Sequence, residues 1–205
     1  MTTGVPLQKE PVIFGQLMEA LVHHAMREHL GEEHVRHRLK AIGVDTEQPL
    51  MVAYSVPVWF GAFLFCAEQL YPDSPHDEAL YQLGRKVMEG HSQTQLGRAA
   101  FALIKQVGWE RSAARLTRHL RTANNFTTAG VHPLPDGGFE VTLEVDAEYR
   151  SALGPRPAMD PYFMRGVLDM SMELAGAPLV AELRPQTFET HRFRYLLRRR
   201  AQPAK

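Results

Sequence analysis

The sequence is poor in the features that mark disulfide-rich, secreted and membrane-spanning proteins. Cys66 is the single cysteine, so an intrachain disulfide is excluded. It ends an almost entirely apolar run that starts at Trp59, and we expect a buried, unreactive thiol there. That run stops at Glu68, far short of the roughly 20 apolar residues that a bilayer-spanning helix needs. Residues 1–10 also lack the basic start and apolar core of a signal peptide, which predicts a cytoplasmic protein.

The sequence also lacks an excess of charge and the common catalytic motifs. Lys and Arg together number 23, and Asp and Glu together also number 23. This balance favours neither a nucleic-acid partner nor membrane insertion. There is no P-loop, no dinucleotide-binding glycine pattern and no nucleophile elbow. We therefore assign no catalytic residues and predict a protein that is not an enzyme.

The order of the patterns predicts an α+β fold, with an N-terminal helical bundle followed by a β-β-α-β-β unit with an antiparallel sheet. We divide one domain, residues 1–205, into a flexible arm (1–10), a helical half (11–123), a sheet half (124–198) and a basic tail (199–205). In the helical half, apolar spacing and glycine or proline stops predict helices over 14–30, 32–42, 58–70 and 94–107, one beginning at Pro75, and one over 109–121.

The sheet half has the clearest local signals. Residues 139–145 alternate apolar and polar side chains, as a half-buried strand does, and the turn residues 135–138 precede them. Asp160 and Pro161 predict the start of a helix that runs to Ala175. A second hairpin is predicted over 178–183 and 189–198. We expect Val141 and Phe193 to point to the same buried side of one sheet.

The helix after Asp160 is apolar on two faces, so it must be covered on both. We expect the face with Met164, Leu168 and Met172 to meet the N-terminal helices near Phe63 and Leu64. Complete packing is favoured, because protein interiors rarely contain voids larger than a water molecule. The alternative is a dry cavity lined by methionine and aromatic side chains, which would bind a small apolar ligand.

Two polar patterns offer surface alternatives. Arg111, Arg115 and Arg118 follow one helical stripe, which suits an anion or a protein partner, although a solvated face is the simpler interpretation. His34 and His37 share a helix face but lie among charged residues, and we predict no metal site.

Three runs carry a resemblance to a known family: Leu83–Gly90, Gly97–Ala99 and Arg121–Phe126. From Pro11 to Leu197 the chain resembles a set of paralogous proteins of unassigned function that are found mainly in myxobacteria. More distantly, its order of elements resembles the ligand-binding fold shared by heme–nitric-oxide domains, small-hydrocarbon-binding domains and a Golgi transport subunit.

The distant resemblance also implies candidate heme contacts. Tyr149 and Ser151 match part of the Tyr-x-Ser-x-Arg motif that holds heme propionates in the heme domains, but Leu153 stands in place of the arginine. His119 falls near the expected position of the axial histidine.

These observations predict a non-enzymatic regulatory or signalling module without a cofactor, which binds a protein partner or a small apolar ligand. A heme-based gas sensor and an enzyme of unrecognised class are the alternatives, and a homodimer is compatible with either. The candidate ligand-binding residues are Phe63, Tyr149, Ser151, Met164, Leu168 and Met172.

Overall fold

The structure is a computed structural model that describes residues 9–109, 111, 122–154, 159–184 and 191–200. Its helices within these ranges are α1 (Gly15–Glu19, continued as a π-helix over Ala20–Ala25), α2 (Glu33–Ile42), α3 (Val56–Leu70), α4 (His76–Gln93), α5 (Gln95–Val107), α6 (Ala147–Leu153) and α7 (Pro161–Leu174). Its strands are β1 (Val12–Phe14), β2 (Ala53–Ser55), β3 (Thr127–Pro133), β4 (Phe139–Val145), β5 (Leu179–Leu183) and β6 (Arg192–Arg199).

The predicted α+β class is confirmed. Strands β3, β4, β6 and β5 form one antiparallel sheet in that order, while β1 and β2 form a separate antiparallel pair. Val141 and Phe193 are 2% and 3% exposed and lie on the same side of the sheet, as the alternation predicts. In the hairpin turn before β4, Gly137 adopts a φ of +78°, which favours glycine.

Several helix boundaries also follow from local chemistry. Helix α2 ends at Gly43, whose φ of +109° closes the last turn, as predicted. Helix α5 begins at Gln95 because the Thr94 side chain accepts a hydrogen bond from the Gly97 backbone N–H. Helix α7 begins after Asp160, whose carboxylate accepts from the N–H groups of Tyr162 and Phe163 at 2.9 Å each.

The helix predicted over residues 14–30 is shorter in the structure. The chain is extended up to Phe14, an α-helix runs over Gly15–Glu19, a π-helix runs over Ala20–Ala25, and turns follow from Met26, so the prediction was wrong for residues 26–30. Helix α4 lies directly against this segment: Gly90 is so close to it that an added Cβ would touch the Ala20 carbonyl and the His24 side chain. Helix α4 itself begins at His76, one residue later than predicted, and α6 was not predicted at all. No helix in the described part of the chain is both long and apolar enough to cross a bilayer.

Candidate functional site

The core contains a cavity of about 80 Å³ where the helical half meets the sheet half. Three aromatic rings form one corner of it. Phe63 stacks on Trp59 with ring centroids 5.9 Å apart, and Phe163 contacts both rings edge-on at 5.5 and 6.0 Å. Such edge-to-face pairs hold each ring in a fixed orientation, so this wall is preorganised.

The rest of the wall comes from α4, α7, the sheet and the start of the chain. Twelve of the eighteen described residues that line the cavity are buried, and six are half-exposed. The buried ones are Ile13, Trp59, Phe63, Val87, Met88, His91, Asn124, Thr127, Leu143, Met159, Phe163 and Val167. The half-exposed ones are Gln16, Leu17, Thr122, Ala123, Asp160 and Met164.

Three polar side chains in this wall, those of Gln16, Asn124 and Asp160, already make hydrogen bonds within the protein, whereas the Nδ1 atom of the lining residue His91 is buried and makes no hydrogen bond within the described part of the chain. The side-chain oxygen of Asn124 (Oδ1) accepts from the backbone N–H groups of Phe126 and Thr127 at 3.1 and 2.8 Å. The Gln16 amide donates to the Thr122 carbonyl, and Asp160 caps α7. Burial raises the pKa of the Asp160 carboxyl above its ordinary value. The cavity therefore offers mainly apolar surface to a guest molecule.

The expectation of complete packing between α7 and the N-terminal helices was wrong where Phe163, Met164 and Val167 line the cavity. The extensive packing partner of α7 is α4, not α3. The two helices lie so close that a Cβ at Gly84 would collide with the Phe163 carbonyl, and one at Gly166 would collide with the Tyr81 carbonyl. Because this backbone contact fixes the position of α7, the Phe163–Val167 side of the helix does not close completely on α3.

The structure brings two of the six predicted ligand-binding residues to the cavity. Phe63 and Met164 line it. Leu168 and Met172 are buried elsewhere in the core, at 0% and 3% exposure.

The two residues taken from the heme motif lie away from the cavity wall. Tyr149 is buried with its ring 6.5 Å from that of Phe126, and Ser151 is exposed on α6. In the predicted arginine ridge, Arg111 is exposed, whereas Arg115 and Arg118 lie outside the described residues.

Several lining residues were not predicted as site residues. Trp59 was recognised only as the start of a buried apolar run, and Asp160 only as a helix cap. Phe163 belongs to the apolar face of its helix opposite Met164, Leu168 and Met172, and was not singled out. Ile13 and Gln16 gave no signal, because their place in the wall depends on contacts with residues more than 100 positions later in the chain.

The described residues contain no group of three or more His, Cys, Asp or Glu side chains placed to hold a metal ion. Cys66 is fully buried, and burial raises the pKa of its thiol to about 12. A thiol with so high a pKa is almost entirely protonated at neutral pH and is a poor nucleophile.

The described residues do not fit a heme. A porphyrin is far larger than a cavity of about 80 Å³. The position of the propionate-binding arginine is taken by Leu153. Arg150, the nearest guanidinium in the motif, donates to the Val145 carbonyl and pairs with Glu144. The candidate axial residue, His119, lies outside the described residues.

Known structures share this fold. A double variant of the Tt H-NOX protein aligns with a TM-score of 0.64 and 12% identity over 94% of this chain and 98% of that one. An H-NOX protein from S. oneidensis in the Fe(II)NO state aligns with a TM-score of 0.56 and 12% identity over 91% of this chain and 99% of that one. A mutant of T. Tengcongensis H-NOX aligns with a TM-score of 0.61 and 12% identity over 90% and 96% of the two chains. At these identities the likeness establishes the fold.

Sequence comparison places the chain more specifically. Among curated proteins, none matches it. A family model described as a protein of unknown function, DUF2378, matches residues 11–198, which is most of the chain. The chain therefore belongs to the DUF2378 family.

Proposed function

We propose that the protein is a non-enzymatic regulatory or signalling module that binds a small, uncharged, apolar molecule in the cavity beside Trp59, Phe63 and Phe163. The observation that carries this proposal is the cavity itself, because natural interiors are packed to the density of organic crystals and leave few voids larger than a water molecule. A preorganised aromatic void at the junction of the two halves is the kind of place where small ligands bind.

The size of the cavity limits the guest. A void needs about 10–15 Å³ to hold one water molecule, and an engineered apolar cavity of about 150 Å³ binds benzene or xenon. At about 80 Å³, this cavity lies between the two. It suits a ligand of a few heavy atoms, from a single xenon atom to a small hydrocarbon.

The chemistry of the wall limits the guest further. No Lys or Arg is present among the described lining residues, so a carboxylate or phosphate would find no partner there. Asp160 would repel an anion. Because the side chains of Gln16 and Asn124 are already hydrogen-bonded, a strongly polar guest would lose more hydration than the few remaining polar atoms of the wall, such as His91 Nδ1, could replace.

The fold likeness supports an internal ligand but not a particular one. The H-NOX neighbours are described in terms of heme and nitric oxide. Unrelated functions commonly share one fold, so the ligand has to be inferred from the residues of the site and not from the fold. Since the described residues do not fit a heme, we propose that this chain works without one, in the cytoplasm. The absorbance spectrum of the purified protein tests this, and a Soret band would contradict it.

Trp59 gives a direct reporter for binding. The chain has two tryptophans, Trp59 and Trp109, so a Trp109→Phe variant leaves the cavity residue as the sole tryptophan fluorophore. We expect saturable quenching of its emission on titration with xenon, and none with iodide, the isoelectronic anion, at equal concentration. A response to neither, or an equal response to both, would contradict the proposed ligand class.

A further inference from the structure

The half-exposed part of the cavity wall is concentrated along one line. Four of the six half-exposed lining residues face each other there: Gln16 and Leu17 on one side, Thr122 and Ala123 on the other. We call residues 12–17 the strap, and its contact with residues 122–125 the seam. Lining residues that also reach solvent therefore occur on both sides of this seam.

Backbone hydrogen bonds join the two sides of the seam. One isolated bridge joins Ile13 to Asn124, with bonds from the Phe14 N–H to the Ala123 carbonyl (2.9 Å) and from the Asn125 N–H to the Val12 carbonyl (3.3 Å).

Side chains complete the closure. The side-chain oxygen of Asn125 (Oδ1) accepts from the Val12 N–H at 2.8 Å, and its side-chain nitrogen (Nδ2) donates to the Glu10 backbone carbonyl at 2.9 Å. Gln16 adds the bond to Thr122. Asn125 is thus a latch whose side chain bonds Val12 in the strap and Glu10 just before it, and it does not line the cavity.

The opposite edge of the strap is held by continuous strand pairing and close backbone contact. There β1 pairs with β2 over three consecutive residues, and the Gly15 N–H donates to the Val52 carbonyl at 2.7 Å. A Cβ at Gly15 would collide with the Met51 carbonyl, so the two segments are in backbone contact. If the strap moves, it moves away from residues 122–125 and stays with the helical half.

We infer that the seam is the passage by which a ligand enters and leaves the cavity, and that Asn125 is the latch that limits the rate. This inference rests on the proposed binding in the cavity. Local openings of this kind break a few partly exposed hydrogen bonds and leave the core intact, so they occur far more often than global unfolding. Separating α4 from α7 would instead break a backbone-to-backbone contact along two helices.

Xenon exchange measured by saturation-transfer ¹²⁹Xe NMR tests the passage. Asn125→Ala removes both latch bonds, whereas Asn125→Asp keeps the acceptor for Val12 and loses the donor to Glu10. We expect the association and dissociation rates of xenon to rise together, roughly tenfold for Ala and less for Asp, with the dissociation constant unchanged within about twofold. Gln82→Ala, which removes a side-chain bond to Glu78 on α4 away from the cavity, is the control and should change neither rate.

Amide hydrogen exchange separates a local opening from general loss of stability. In Asn125→Ala, the Phe14 and Asn125 amides should exchange faster while the Leu143 amide in the centre of the sheet keeps its wild-type protection. Xenon that binds the wild type but exchanges at the same rate in all variants would overturn the passage and leave the proposed function standing. No xenon binding to the wild type would overturn both.

Discussion

Replacing Val87 by isoleucine adds one methylene to a fully buried side chain of the cavity wall. In a packed core an added methylene forces neighbouring side chains out of their preferred rotamers and costs about 1–3 kcal/mol. Next to an empty space it can instead fill part of that space. The sign of the stability change therefore reports whether the cavity is there.

The expected gain follows from the size of the cavity. At about 24 cal/mol per Å³ of unfilled volume, a cavity of about 80 Å³ corresponds to about 2 kcal/mol of lost stability. One buried methylene contributes about 0.8 kcal/mol. We expect Val87→Ile to raise the free energy of unfolding by roughly 0.5–1 kcal/mol, and to weaken the response of Trp59 to xenon.

The matched control is Val35→Ile. Val35 is also a helical valine with 0% exposure, but it does not line the cavity. We expect this variant to lose about 1–3 kcal/mol. Both are measured by urea unfolding with Trp59 as the probe. Equal destabilisation by the two substitutions would refute the view that the space beside Val87 can be filled.

Two further predictions concern α7. Leu168 is fully buried away from the cavity, so Leu168→Ala should cost about 2–5 kcal/mol in urea unfolding; a loss below about 1 kcal/mol would show that the site is not tightly packed. Asp160→Ala should cost about 0.5–2 kcal/mol through loss of the helix cap, whereas Asp160→Asn keeps the cap and should be as stable as the wild type or more so at neutral pH. Burial raises the folded-state pKa of Asp160 above its unfolded value, so the folded wild type binds a proton more tightly than the unfolded chain does. The free energy of unfolding of the wild type should therefore rise relative to that of Asp160→Asn as the pH falls through the folded-state pKa. If the difference in unfolding free energy between the wild type and Asp160→Asn stays constant as the pH is lowered, the raised pKa of Asp160 is contradicted.

The sequence predicted those elements whose causes are local. Alternation fixed the strand Phe139–Val145, a glycine fixed the end of α2, and an N-cap with a first-turn proline fixed the start of α7. Each depends on a few neighbouring residues, so the pattern alone was sufficient.

The elements that were missed depend on distant contacts. Strand β1 has three residues, too few to show a period, and exists because β2 and residues 122–125 lie on either side of it. The π-helical segment lies where Gly90 lets α4 approach. These arrangements carry no signal within their own stretch of sequence.

The candidate site was predictable in part, because it depends on both local patterns and distant contacts. The two apolar faces of α7 were visible in the sequence, but their partners were not, because Met164 and Phe163 look alike as buried residues in a helical pattern. Gly84 and Gly166 were the available signal: a glycine in each of two helical patterns indicates close approach of the helices, and pairing them would have placed α7 against α4. The cavity follows from that placement.

The most direct test of the central claim is a crystal structure determined under xenon pressure. Xenon is uncharged, forms no hydrogen bonds and is electron-dense, so its position can be read without knowledge of the natural ligand. We predict a xenon atom in the cavity beside the contacting rings of Trp59, Phe63 and Phe163, with the surrounding side chains in the same positions as in the unpressurised crystal. Xenon sites confined to the protein surface, with no space between these three rings and α4, would contradict the account.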